Sequence, residues 1–357
     1  MHSHRHRNDR SDRREESSLA KNIVVFSDET GQEGGEGPPS NVSRLFNMVV
    51  DRSAQQVAFY DRGLGEGVRR LAGYLGGFGI SRNVRDCYRF IFDHYEAGDQ
   101  IFLFGFSRGA TTVRSLSGFI HLFGILPKCR PELIDRAYAI YRISNAELRK
   151  EAAADFLARH HNIWTRINFL GAWDSVAALG VPFKAFDAGL VDKIPLLRHG
   201  FHDLRLSPSV EVAYHALALD EERESFEPVL WDPELKSYQR MEQVWFAGAH
   251  CDVGGGYAAS GLPDISLEWM LQKATARGLE IYPRHTVSIK PDADAPMHDS
   301  RAGRLGQLYR RKVRSWPADQ GRPVVHASVH DRRRNRHNTQ TPRYEPWVRS
   351  VPHDVTG

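Results

Sequence analysis

The stretch Asp99-Gln-Ile-Phe-Leu-Phe-Gly-Phe106 runs directly into Ser107-Arg-Gly-Ala-Thr-Thr-Val-Arg114. Its almost unbroken apolar run reads as a strand covered on both faces, as in a parallel sheet. A helix opens straight after Arg108, so Ser107 must occupy a tight strand-to-helix turn. No other feature constrains the fold as strongly.

Around this unit, strands and helices alternate. Asn22-Ile-Val-Val-Phe-Ser27, Gln56 to Tyr60, Arg166 to Trp173 and Gln243 to Ala249 read as strands. Helices are expected over Val42 to Asp51 with Asn41 as cap, from Ser81 to a stop at Gly98, and within residues 131–161. Two more are expected over about 209–219 and over Ile265 to Arg277 behind Asp264. Val84, Tyr88, Ile91 and Tyr95 recur at three- to four-residue spacing, which gives the second helix one apolar face. The alternation predicts an α/β fold with a mostly parallel central sheet and helices on both faces. A chain of 357 residues buries a large core unaided, and three cysteines exclude a disulfide scaffold. Residues 1–20 are expected to form a disordered leader, and 21–350 a single domain with loop and helical insertions.

Gly105-Phe-Ser107-Arg-Gly109 matches G-x-S-x-G at the end of that strand. The pattern alone is weak; the strand–turn–helix context makes it a nucleophile elbow and the fold α/β-hydrolase-like. The Arg108 backbone N–H would then supply one oxyanion donor. A serine hydroxyl needs a base, and in this fold the acid and histidine follow later strands. Asp174 closes the strand ending at Trp173, and His250 the strand ending at Ala249. Both would lie on the sheet edge that carries Ser107. Ser107, Asp174 and His250 are therefore the catalytic candidates. Asp252 is a rival acid, and His298 and His326 are rivals among seventeen histidines. The second oxyanion donor is expected in Asp28-Glu29-Thr30-Gly31, after the first strand, although Asp28 could instead tie loops together.

Charge is unevenly spread. Residues 301–357 hold thirteen basic and four acidic groups, whereas 23–300 hold 29 basic and 36 acidic. By charge alone the basic end reads as a tail, or as an interaction surface of a non-catalytic protein that keeps the hydrolase fold and binds partners or anionic surfaces. It lacks the aromatic interleaving of a nucleic-acid module, so no nucleic-acid partner is expected. No stretch is long enough to span a membrane, and residues 1–18 have no apolar signal core, so a cytoplasmic location is expected. Secretion by a non-classical system stays open. Gly63-Leu-Gly65-Glu-Gly67 is followed by Val68 where a dinucleotide fingerprint needs glycine. Cysteine and histidine spacing fits no zinc site, so neither a cofactor nor a metal is expected. Cys251 reads as a small buried apolar residue.

Taken together, VVFSDETG, YDRGLGEG, GISRNV, IFLFGFSRGA, FLGAWDSVAALGVP, HALALDE, QVWFAGAHCDVGGGY and LPDISLEWML resemble the DUF2235 family. That family includes the Tle1-like phospholipase effectors of type VI secretion. Later matches are His298-Asp-Ser and Val325-His-Ala-Ser-Val, so the resemblance covers about residues 21–345 and implies that the basic end is a covering layer over the acidic body rather than a free tail. It implies an esterase or lipase-type serine hydrolase acting on a lipid or small ester, with peripheral membrane contact as one way to reach it. It also maps the family triad onto Ser107, Asp174 and His250. Glu29 stands where the family usually has glycine.

Overall fold

A computed structural model describes residues 20–28, 37–63, 76–176, 204–283, 286–302, 306–334 and 344–357. The expected leader lies almost wholly outside them. Eight strands occur among the described residues: β1 (Asn22–Ser27), β2 (Gln56–Asp61), β3 (Gln100–Phe106), β4 (Ile167–Trp173), β5 (Val212–Ala218), β6 (Arg240–Phe246), β7 (Val324–His326) and β8 (Asp354–Thr356). They form one sheet in the order β2-β1-β3-β4-β5-β6-β7-β8, and every neighbouring pair is parallel. The chain changes direction of travel across the sheet between β1 and β3. In open α/β sheets the crevice outside the strand carboxyl ends at such a point is where ligands bind.

Side-chain alternation on the strands separates two cores. Ile23, Val25, Ile101 and Leu103 face one layer, where they meet α2 (Gly76–His94), α3 (Arg108–Phe123), α4 (Leu133–Tyr141) and α5 (Ala146–Arg159). Val24, Phe26, Phe102, Phe104 and Phe106 face the other, against α1 (Asn41–Phe46) and α7 (Gly261–Thr275). Helices thus cover both faces, and the fold is α/β-hydrolase-like. The short helix α6 (His250–Gly254) lies between β6 and α7, and α8 (Ser328–Arg334) follows β7.

Three local expectations change. The segment expected as a helix over 209–219 is β5, buried along nearly its whole length between β4 and β6. A short apolar run looks alike as a buried strand or a buried helix, and only the sheet decides. Ser40, not Asn41, caps α1, because its hydroxyl accepts from the Ser43 amide. Asn41 is buried and donates to the carbonyls of Val253 and Pro263. Asp264 lies inside the first turn of α7, paired with Arg44 at 2.5 Å.

The basic C-terminal segment completes the sheet. Val325, Val329 and Val348 pack with Leu217, Leu219, Trp245 and Ala247 in a third apolar cluster. Arg311 pairs with Glu222 at 2.6 Å and Lys312 with Glu227 at 3.0 Å, both at the surface. Exposed pairs of this kind contribute about 0.2–1 kcal/mol each. The apolar cluster therefore does most of the fastening. Deleting residues 301–357 is expected to uncover Trp245 and unfold the protein. Loss of a cooperative thermal transition, with a gain in binding of an apolar dye, is the measurement that checks it.

Candidate active site

Ser107 sits between β3 and α3 with φ of 56°, a left-handed conformation that costs a residue with a side chain about 1–3 kcal/mol. Two glycines make the turn possible. A Cβ on Gly105 would lie 2.5 Å from the Gly109 carbonyl, and one on Gly109 would lie 2.0 Å from the Ser27 oxygen. The elbow therefore presses against the carboxyl end of β1, at the point where the sheet order turns. The Ser107 amide stays in the ladder, donating to the Trp173 carbonyl at 3.0 Å.

Asp174 follows β4 and is the other residue with a side chain, among those described, at positive φ (38°). Its amide donates to the Ala216 carbonyl at 2.7 Å. His250 opens α6, just beyond β6. The structure joins these three residues in one line. His250 Nε2 lies 2.8 Å from Ser107 Oγ, and His250 Nδ1 lies 2.6 Å from Asp174 Oδ2. All three are buried. Phe106 and Phe226 flank the imidazole at centroid distances of 4.6 and 5.1 Å. The His250 amide donates to Glu221 Oε2 at 3.2 Å. Burial opposes ionisation of Glu221, yet its bonds to Arg223 win and hold it at about 2.

One member of this network was invisible in sequence. Arg314 approaches Asp174 end-on, with Nη1 2.6 Å from Oδ1 and Nη2 2.9 Å from Oδ2. Burial alone would raise the Asp174 carboxyl, but the Arg314 charge and the His250 hydrogen bond hold it well below the usual carboxylate range. No local motif marks Arg314. It lies 140 positions from its partner, in a segment without periodicity.

The rival residues pair with each other instead. Asp252 Oδ1 lies 2.7 Å from His298 Nδ1, and Asp252 Oδ2 accepts from the amides of His298 and Ala249. His298 stacks on Tyr257. His326 lies on β7, stacked on Phe246 and bonded to Ser328. Cys251 is half-buried rather than buried. Arg108 is the first residue of α3, so its amide lies at the helix N-terminus beside Ser107. The Asp28 amide donates to the Asp61 carbonyl, and its carboxylate accepts from Ser40 and Tyr60, each at 2.5 Å. These contacts tie loops together. Glu29, Thr30 and Gly31 lie outside the described residues. Among the described residues, no group of three or more histidine, cysteine, aspartate or glutamate side chains could hold a metal ion, and no helix is long and apolar enough to cross a membrane.

Residues 21–273 match the family described as the catalytic domain of the Tle1-like phospholipase effectors of the type VI secretion system. An uncharacterised protein of Saccharomyces cerevisiae, YEL023C, is 28% identical over 244 residues, which is 61% of this chain and 33% of that protein. The chain thus spans about a third of that relative's length. A solved but uncharacterised protein from Pseudomonas aeruginosa aligns with 77% of this chain and 49% of its own, at 14% identity and a TM-score of 0.43. A butyrate-bound esterase from Thermogutta terrifontis aligns with 75% of this chain and 87% of its own, at 16% identity and a TM-score of 0.39.

Beneath the Asp174 turn, His215 Nε2 accepts from the Ser175 amide at 3.1 Å, and its Nδ1 lies 3.3 Å from Gln243 Oε1. Burial, and then the nearby Arg114 charge, push this imidazole down to about 3. An unfolded imidazole takes up its proton near pH 6.5. Between about 6.5 and 3 the unfolded chain therefore binds more protons, and stability falls as pH is lowered. Urea unfolding at pH 7, 5.5 and 4.5 is expected to show a loss from this group of about 1.3 kcal/mol over each of the two intervals. In His215→Gln that part of the slope should vanish.

Proposed function

The chain belongs to the Tle1-like phospholipase effector catalytic domain family, and from that premise we propose that it is a serine hydrolase of carboxylic esters with a lipid substrate. Membership supports a lipase- or esterase-type hydrolase; the serine mechanism and the substrate are our reading. The observation that carries it is the hydrogen-bonded line Ser107–His250–Asp174 at the carboxyl edge of a parallel sheet. In this reading His250 Nε2 takes the Ser107 proton as Oγ attacks the ester carbonyl. The tetrahedral oxyanion is met by the Arg108 amide and the positive end of α3. Collapse expels the alcohol, which receives the proton from Nε2, and leaves an acyl group on Ser107. Water then attacks, passing its proton to Nε2. That proton returns to Ser107 Oγ as the carboxylic acid leaves. Asp174 stays ionised throughout, fixing the imidazole tautomer and stabilising the imidazolium.

The second oxyanion donor is assigned to Glu29 or Thr30. Support comes from the close approach of Gly109 to Ser27 and Asp28, the two residues that precede them in the chain. The alternative role, binding through the basic end, has less to draw on. Arg310, Arg311 and Lys312 already pair with Glu224, Glu222 and Glu227, and Arg332 donates to the carbonyls of Ala293 and Ala295.

A fluorophosphonate probe is expected to label the wild type, and Ser107→Ala to abolish labelling. On p-nitrophenyl esters and defined phospholipids, Ser107→Ala should lower kcat about a million-fold, to background. Folded wild type that neither labels nor hydrolyses any ester overturns the reading. Hydrolysis of short esters alone overturns the lipid substrate.

A further inference from the structure

We propose that Arg314 is a positioning residue of this site, one that locks the Asp174 carboxylate in register with His250 and keeps His250 a proton acceptor at lower pH. The inference rests on the serine-hydrolase reading above. Arg314 is 2% exposed and Asp174 wholly buried, so water screens neither charge. The two Arg314 nitrogens meet four acceptors in one plane-like fork. Nη1 donates to Asp174 Oδ1 at 2.6 Å and to the Ala218 carbonyl at 2.5 Å, and Nη2 to Asp174 Oδ2 at 2.9 Å and to the Phe226 carbonyl at 2.6 Å. The Ala218 amide adds a bond to Oδ1 at 2.9 Å. With both oxygens occupied, the carboxylate cannot rotate, and Oδ2 stays aimed at His250. An ammonium group has three donors at one point and cannot reproduce the fork.

The electrostatic consequence follows from charge balance. Asp174 stabilises a proton on His250, and Arg314, on the far side of the same carboxylate, cancels part of that field. Other groups around the pair are engaged elsewhere. Ser107 lies on Nε2, Glu221 accepts from the His250 amide and is bound by Arg223, and Asp252 on α6 is taken by His298. Below the pair, His215 accepts from the Ser175 amide and Arg114 donates to Ser175 Oγ at 2.9 Å. Arg314 is the cation in direct contact with the carboxylate.

Arg314 is delivered by the C-terminal layer. The Glu224 amide donates to the Arg310 carbonyl at 3.0 Å and the Lys312 amide to the Glu222 carbonyl at 2.8 Å, a backbone clip two residues before it.

The test uses the full chain and a p-nitrophenyl ester, with kcat/KM measured from pH 4.5 to 9 for wild type, Arg314→Met and Arg314→Lys. Arg314→Met is expected to lose up to about 100-fold in kcat/KM, as misplacement of a catalytic group by about 1 Å does. Its acid limb should move up by about one pH unit, because the carboxylate's full field now favours the imidazolium. Arg314→Lys should keep the acid limb and still lose activity, since it restores charge but not the fork. A role confined to stability would lower the melting temperature and leave the limb in place. If both variants are folded and active with wild-type rate and limb, the inference is overturned. If Arg314→Met fails to fold, Arg314→Lys decides: lowered kcat/KM on an unchanged limb supports it, and wild-type kcat/KM overturns it. Wild type that is folded but neither hydrolyses the ester nor reacts with the fluorophosphonate overturns the hydrolase reading, and this inference with it.

Discussion

The Asp174 carboxylate is wholly buried, and much of the surrounding structure answers to that fact. A buried charge without partners costs more than a fold of ordinary stability can bear. Here Arg314, His250 and the Ala218 amide supply the partners from three different segments. Such a buried pair is weak evidence for stability, because desolvating both ions offsets their attraction. Its sense lies in the site. A carboxylate held low and held still can orient an imidazole, and one free to protonate or rotate cannot.

The strain at the site has the same logic. Ser107 and Asp174 are the two described residues with side chains at positive φ, and they end neighbouring strands. Both keep their amides in the ladder, Ser107 to Trp173 and Asp174 to Ala216. Each strained turn is thus bonded to the next strand along. The sheet beneath is packed with Phe102, Phe104, Phe106, Phe169 and Trp173, which leave little room for either turn to relax. Rigidity of the core is what permits unfavourable backbone at the edge.

Legibility in the sequence followed the range of the interaction that fixes each residue. Ser107 was readable because a strand, two glycines and a helix start lie within ten residues. Asp174 and His250 were readable as the ends of apolar runs, which favoured His250 over His298 without removing it as a rival. Asp252 and His298 carry the same chemistry and differ only in where they point, toward each other. β5 was misread because its apolar positions fit a helix as well as a strand, and burial between two neighbours settles the matter. Arg314 carried no local signal at all. Its identity as part of the site depends on a fold that brings position 314 to position 174.

That dependence gives the basic segment its place in the fold. The surface pairs between residues 310–312 and 222–227 are individually too weak to hold a layer in place. The apolar cluster around Trp245 holds it, and the backbone bonds from Glu224 to Arg310 and from Lys312 to Glu222 fix its register. A shift of that register by one residue would put Val313 or Ser315 where Arg314 now stands, leaving Asp174 buried without its cation. The backbone clip therefore decides which residue the layer presents, and the weak surface pairs add little to how firmly it binds. What the clip aligns is Arg314, the basic side chain of the strap that, among the described residues, reaches Asp174.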